Sequence, residues 1–242
     1  MKKRLLWIGG ILAIVAITAI ACVDLFVGSF VKRAVDGYGP AYTQTRVSLD
    51  GAQLSPFSGS GTLTGLYVGN PKGWSSDKAL TLGSVHIQIA PRSLLSNHVI
   101  IEELTIDRPE FVYETRLVAS NIGELLKNIQ KASSSPGAAP QASHDGQTIT
   151  FEVKHFHLTN GKVTVGVGPS AVTIPMGSIT LDNLGDQTRG VTSAQLAAAI
   201  FRSITPKIAE AAAGATAKFV PAAALDTLKT AGGTIQSLFG GK

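Results

Sequence analysis

The chain opens with an apolar run that carries no charge over residues 5–23, LLWIGGILAIVAITAIACV. A helix of that length, at about 1.5 Å rise per residue, reaches across a hydrocarbon core of roughly 30 Å. Phe26, Phe30 and Val31 keep a helical rhythm past Asp24, and Gly37 to Pro40 break it. From Thr45 the texture changes to short alternating runs separated by Gly, Pro, Asn and Asp, which predicts strands. Ile122, Leu125, Leu126 and Ile129 share one helical face over 121–131, with Ser120 placed to cap it. A Ser, Ala, Pro and Gly-rich connection follows over 132–147. After Thr192, Leu196, Ile200, Ile204 and Ile208 recur four apart, with Thr192 or Ser193 as cap. Pro206 and Pro221 should kink or divide this stretch, and a last short helix is expected over 223–239.

The predicted architecture is therefore α+β. A transmembrane helix comes first, then a curved, groove-like antiparallel β-sheet with C-terminal helices packed on it. In residue numbers this is a cytoplasmic tail at 1–4, an anchor at 5–27 and a juxtamembrane helix and turn at 28–44. The sheet domain occupies 45–185, with its helix and flexible linker, and the helical segment occupies 192–242. The C-terminal helices are expected to cover the edge or apolar face of the sheet, or else to form a movable cover over a lipid groove or lie on a membrane.

Four strands share an irregularity. Leu82 is followed by Gly83-Ser84 before Val85 and Ile87. Ile101 is followed by Glu102-Glu103 before Leu104 and Ile106. Val153, Lys154-His155, Phe156, Leu158 repeats this pattern, as does Met176, Gly177-Ser178, Ile179, Leu181. A one-residue slip throws an apolar set to the wrong face unless a β-bulge restores it. Bulges at these places would bend the sheet; ordinary turns between shorter strands are the alternative. IEELTIDRPEFVY from Ile101 also aligns without gaps with VKHFHLTNGKVTV from Val153, and LGSVHI from Leu82 with MGSITL from Met176. The alignment sets Pro109 on Gly161 as a shared turn and suggests one strand–turn–strand unit used twice, in an antiparallel meander. Asn70-Pro71-Lys72-Gly73 reads as a tight turn, with Trp74 expected to plug a sheet end.

Charge adds an orientation. Lys2, Lys3 and Arg4 precede the apolar run, so its N-terminal side faces the cytoplasm and the bulk of the chain lies outside the cytoplasmic membrane. The chain has 21 Lys and Arg against 16 Asp and Glu, but Lys2, Lys3, Arg4, Lys32 and Arg33 flank the apolar run. The rest is close to neutral and lacks the basic stripe of a nucleic-acid binder. Cys22 is the one cysteine and lies inside the apolar run, so no intramolecular disulfide forms. An uncleaved anchor, a cleaved signal peptide and a lipoprotein signal ending at Cys22 all fit this segment; the length of the run and its helical continuation favour the anchor.

Motifs of bond chemistry are missing from the sequence: there is no G-x-S-x-G, no P-loop, no dinucleotide fingerprint and no H-E-x-x-H. His155-x-His157 offers two ligands without a third nearby, and Glu102-Glu103 sits at a slip where charges can point to water. No catalytic residue, cofactor or metal is expected.

The order of motifs does resemble a known family. An N-terminal membrane helix is followed by VSLDGAQLSPFSGSGTLTGLYVGNPKGW, then ALTLGSVHIQIAPRSLL, then VIIEELTIDRPEFVYE ending at Glu114. This is similar to the N-terminal module of the AsmA family, over about residues 1–120 and more loosely over 148–185. The resemblance implies a single-pass inner-membrane protein of a Gram-negative envelope with a periplasmic β-groove. It further implies lipid handling or envelope maintenance, with the membrane, phospholipid and envelope proteins as partners. The chain is much shorter than the large members, which build long grooves. On that reading the groove is lined by Val85, Ile87, Ile89, Leu104, Ile106, Phe156, Leu158, Ile179 and Leu181. Thr81, His86, Gln88, Thr105, Thr164 and Thr180 occupy the opposite face. A different reading of the same residues is an ordinary core, in a scaffolding protein whose sheet is filled by its own C-terminal helices. Those helices decide between the two.

Overall fold

A computed structural model describes residues 27–116, 119–134, 143–144, 146–185 and 189–219. Apart from Val27, the expected anchor lies outside the described residues, as do most of the linker and the helix expected over 223–239. Among the described residues no helix is long and apolar enough to cross a membrane.

The described residues form an α+β fold, with three α-helices and one large mixed sheet. Helix α1 covers 27–43. The nine strands of the sheet are β1 (Val47–Ser48), β2 (Gly51–Leu54), β3 (Ser60–Gly69), β4 (Lys78–Ile89), β5 (His98–Tyr113), β6 (Thr150–Thr159), β7 (Lys162–Val165), β8 (Val172–Pro175) and β9 (Ile179–Leu184). Helix α2 (Asn121–Ser134) lies between β5 and β6, and α3 (Ser193–Phe219) follows β9. The strand order is β1-β3-β4-β5-β6-β9, with β2 added on β3, β7 on β5 and β8 on β7.

The antiparallel meander needs correction at its centre. β5 and β6 run parallel, as do β5 and β7. The cause is the connection: a parallel neighbour needs a crossover, and α2 supplies it. Ile101 pairs with Val153, Leu104 with Phe156, Ile106 with Leu158, and Phe111 with Val163. These are the pairs that the gapless alignment matches. The similarity is thus a shared register between adjacent strands. It is not a hairpin used twice, and β5 passes through Pro109 without turning.

The slips fall in two rows that cross the sheet. In the first, Gly65, Gly83, Arg108 and Asn160 are neighbours, flanked by Thr64–Ser84, Leu66–Leu82, Ser84–Asp107 and Leu82–Pro109 pairs. Gly65, Arg108 and Asn160 have φ of 63°, 53° and 55°. Adjacent strands change face together here, so no register is lost. In the second row Glu102 is the extra residue of a bulge, because Gln88 pairs with Glu103 but Ile89 with Ile101. Lys154 lies beside Glu102 and binds it at 2.9 Å, and Asn183 (φ 56°) lies beside Lys154. The fourth slip, Gly177-Ser178, is a break between β8 and β9.

Arg108 and Asn160, the non-glycine residues of the first row, need support in the left-handed region. Asp107 provides it for the first row. Its carboxylate accepts from Asn160 Nδ2 at 2.7 Å and Arg108 Nε at 2.9 Å. The Asn160 bond is the largest cause that holds the Asp107 carboxyl below the usual range.

Both expected caps form. Ser120 Oγ accepts from Gly123 N–H at the start of α2. Thr192 and Gln195 exchange bonds at the start of α3, where Thr192 Oγ1 accepts from Gln195 N–H and Gln195 Oε1 from Thr192 N–H. Pro206 does not divide α3, which runs through it. Pro206 faces solvent, where water can take the carbonyl left unbonded, while Ile204 and Ile208 are buried on either side.

Candidate functional site

The predicted groove residues lie together on one face of the sheet. Val85, Leu104, Ile106, Phe156, Leu158 and Ile179 are buried; Ile87, Ile89 and Leu181 are half-buried and pack against the same cluster. Their companions decide what the face can do. Ile122, Leu125 and Ile129 of α2, and Leu196, Ala198, Ile204, Ile208 and Ala212 of α3, belong to one continuous apolar cluster with them. Phe156 and Leu158 are 0% exposed. The apolar face is occupied by the protein's own helices, and its half-buried members sit towards the Ile89 end of β4.

The opposite face is polar. Thr62, His86, Thr105, His157 and Thr180 form one row across five strands. Thr62 Oγ1 lies 3.2 Å from His86 Nδ1, and His157 Nδ1 lies 3.4 Å from Thr180 Oγ1. In the next row His155 Nδ1 lies 2.8 Å from Asp182 Oδ1. The two histidines of the H-x-H pair thus have separate partners. Among the described residues no three His, Cys, Asp or Glu groups are placed to hold a metal ion.

An open cleft of about 820 Å³ lies where α1 and β2 meet β3, β4 and β5. Lys32, Asp50, Gln53, Thr62, His86 and Glu103 are among its lining residues. Lys32 bonds the Leu49 carbonyl and Asp36, and Asp36 Oδ1 accepts from Leu49 N–H at 2.9 Å. That backbone bond is the first cause that lowers the Asp36 pKa. These contacts tie α1 to the strand that follows it. The remaining lining groups mix donors, acceptors and both signs of charge, and lack the convergence of a catalytic constellation.

A fourth cluster was not singled out as a site from sequence. Glu114 is 7% exposed and Asn121 is 0% exposed. Glu114 Oε1 accepts from Asn70 Nδ2 at 2.8 Å and Ser76 N–H at 2.9 Å, while Oε2 accepts from Ser75 N–H at 2.9 Å. Asn121 Nδ2 donates to Asn70 Oδ1 and to the Val112 carbonyl, and its Oδ1 accepts from Glu114 N–H. This network latches the NPKGWSS turn to the N-terminus of α2. Trp74 does not plug a sheet end. Half-buried, it donates from Nε1 to Glu124 Oε2 at 2.7 Å, with the Arg116 guanidinium 4.6 Å above its ring. Asn70 and Glu114 are 44 residues apart in the chain, and their spacing does not mark them as partners.

No family model matches the chain, and no curated protein or solved structure matches it either.

Proposed function

We propose that this chain is a membrane-tethered, non-catalytic module of the cell envelope that acts through contacts with other envelope proteins. Its apolar face serves as a core. The observation that carries this reading is the closure of that face by α2 and α3, with Phe156 and Leu158 fully buried beneath them. The apolar run over 5–23, with Lys2 to Arg4 before it, supports the tether and its orientation. On this reading the module belongs with AsmA-like proteins of the inner membrane and exposes its bulk to the periplasm.

One observation favours a second reading, in which α3 is a displaceable cover over a lipid groove. Much of the buried face of α3 is alanine, at Ala194, Ala198, Ala212 and Ala215, so its release exposes less apolar area than release of a Leu-rich helix would. Deleting residues 192–242 separates the two. The core reading expects a chain that aggregates or unfolds. A soluble, folded deletion product that binds a hydrophobic dye overturns it and supports the cover.

A further inference from the structure

Among the described residues exposed large apolar side chains are few, and four of them share one end. Phe30, Phe57 and Leu95 are 65%, 64% and 90% exposed, and Leu94 is 40% exposed. Phe57 stands at the tip of the β2–β3 turn. The same turn bonds to the end of β4: Ile89 N–H donates to the Gly59 carbonyl at 2.7 Å and Gln88 Nε2 to the Ser58 carbonyl at 2.9 Å. Leu94 and Leu95 close the short helical turn Pro91–Leu95 directly after β4. Phe30 is on the first turn of α1.

The direction of α1 links this end to the rest of the chain. Gly28 abuts the Ala52 carbonyl, Lys32 reaches Leu49 and Gly39 abuts Val47. Helix α1 therefore runs antiparallel to β1 and β2, and its first residues lie beside the turn that carries Phe57. The apolar run over 5–23 leads into this end. Arg33 and Arg92 are exposed near Phe30 and Leu94. Val167, 42% exposed, is the remaining large exposed apolar residue among those described, and it follows β7 beside Tyr113. That is the far end of β5, a strand of 16 residues and roughly 50 Å.

We propose that Phe30, Phe57, Leu94 and Leu95 form a rim that dips into the bilayer surface and fixes the sheet at a set angle to the membrane. The inference rests on the tethered reading above. Apolar side chains on a face bounded by arginine match an interface of headgroups and upper acyl chain, at about 5–10 Å depth. The arginines suit the anionic fraction of the lipid. A tether alone would leave the domain free to rotate; four apolar contacts around its exit point would not.

The test uses the full chain with Cys22→Ser, carrying Phe57→Cys, Leu95→Cys or Val167→Cys, each labelled with an environment-sensitive fluorophore. It is reconstituted into vesicles of about three parts phosphatidylethanolamine to one of phosphatidylglycerol. The expected result is a blue shift at 57 and 95, and loss of emission when lipids carry a shallow nitroxide quencher, with neither change at 167. Phe30→Cys and Leu94→Cys stand in if a first variant does not fold. Protein that floats with vesicles but shows water-exposed labels at 57 and 95 overturns the rim and leaves the tether standing. Protein that does not float overturns both. Equal quenching at all three sites, or labels at 57 and 95 already shielded before vesicles are added, also overturns the lipid assignment; the last result would mean that a protein surface covers the rim.

Discussion

Replacing Glu114 with glutamine keeps the side chain's shape and removes its charge. The carboxylate accepts from three donors, Asn70 Nδ2 and Ser76 N–H on one oxygen and Ser75 N–H on the other. Glutamine has one acceptor oxygen, so its amide nitrogen must face at least one of those donors. The loss is one bond to a charged acceptor, about 1.5–3 kcal/mol, together with weakening of the two that remain. Ser75 is exposed, and water can take up its N–H, which sets the expectation near the lower end, at about 2 kcal/mol. For a chain of this size that corresponds to a fall in Tm of about 4–8 °C. The assay is urea unfolding followed by circular dichroism, with the slope compared to confirm that the midpoint alone has moved. A double-mutant cycle with Asn70→Ala should be non-additive by more than about 0.5 kcal/mol, because the two side chains share a bond. An E114Q midpoint that coincides with the parent, or strict additivity with N70A, would refute the latch.

Other expectations follow from the same geometry. Phe156→Ala should cost about 3–5 kcal/mol, as for a fully buried phenylalanine, whereas Leu95→Ala should change stability by less than about 0.5 kcal/mol; denaturant titration reads both. Asp36 has a lowered pKa from the Leu49 N–H, so its stabilisation is fully present above the ordinary value of 3.8 and is lost as pH falls through the lowered folded value. Asp36→Asn should therefore flatten the loss of Tm on acidification below that pH, and an unchanged acid limb would count against the α1 contact. Arg108→Gly should raise stability by about 1 kcal/mol by relieving a left-handed arginine, and Asn160→Val should lower it by about 1–2 kcal/mol. Pro206→Ala should stabilise α3 by about 2 kcal/mol and leave the melting transition single.

The local elements were legible because their signals are local. Ser120 and Thr192 cap α2 and α3 as their positions suggested, and the buried positions of α2 follow its apolar spacing. The alternating runs put Val85, Leu104, Phe156 and Ile179 on one face; the slip at Gly83 marks where adjacent strands change face together, and the slip at Glu102 marks a bulge with Lys154 beside it. Strand direction was not legible. Ile101 matches Val153 equally well in a parallel pair or in a repeated hairpin, and what decides is the crossover through α2, a long-range feature. Pro109 and Gly161 looked like turn residues, yet the left-handed residues that precede them, Arg108 and Asn160, let the strands pass with a change of face. Burial of Glu114 was hidden for a related reason: its partners Asn70, Ser75 and Ser76 are some forty residues upstream, and spacing carries no record of them. Whether the apolar face is core or groove depended on where α3 docks, which no periodicity within the strands encodes.

The central claim is that the apolar face is a closed core. Residues 27–242, a fragment that keeps α1 and its Lys32 and Asp36 contacts, should be exported to the periplasm, purified without detergent and weighed intact under native conditions. The account predicts the mass of the polypeptide alone. A phospholipid retained at one per chain would contradict it, and would turn α3 from a core helix into the cover of a groove.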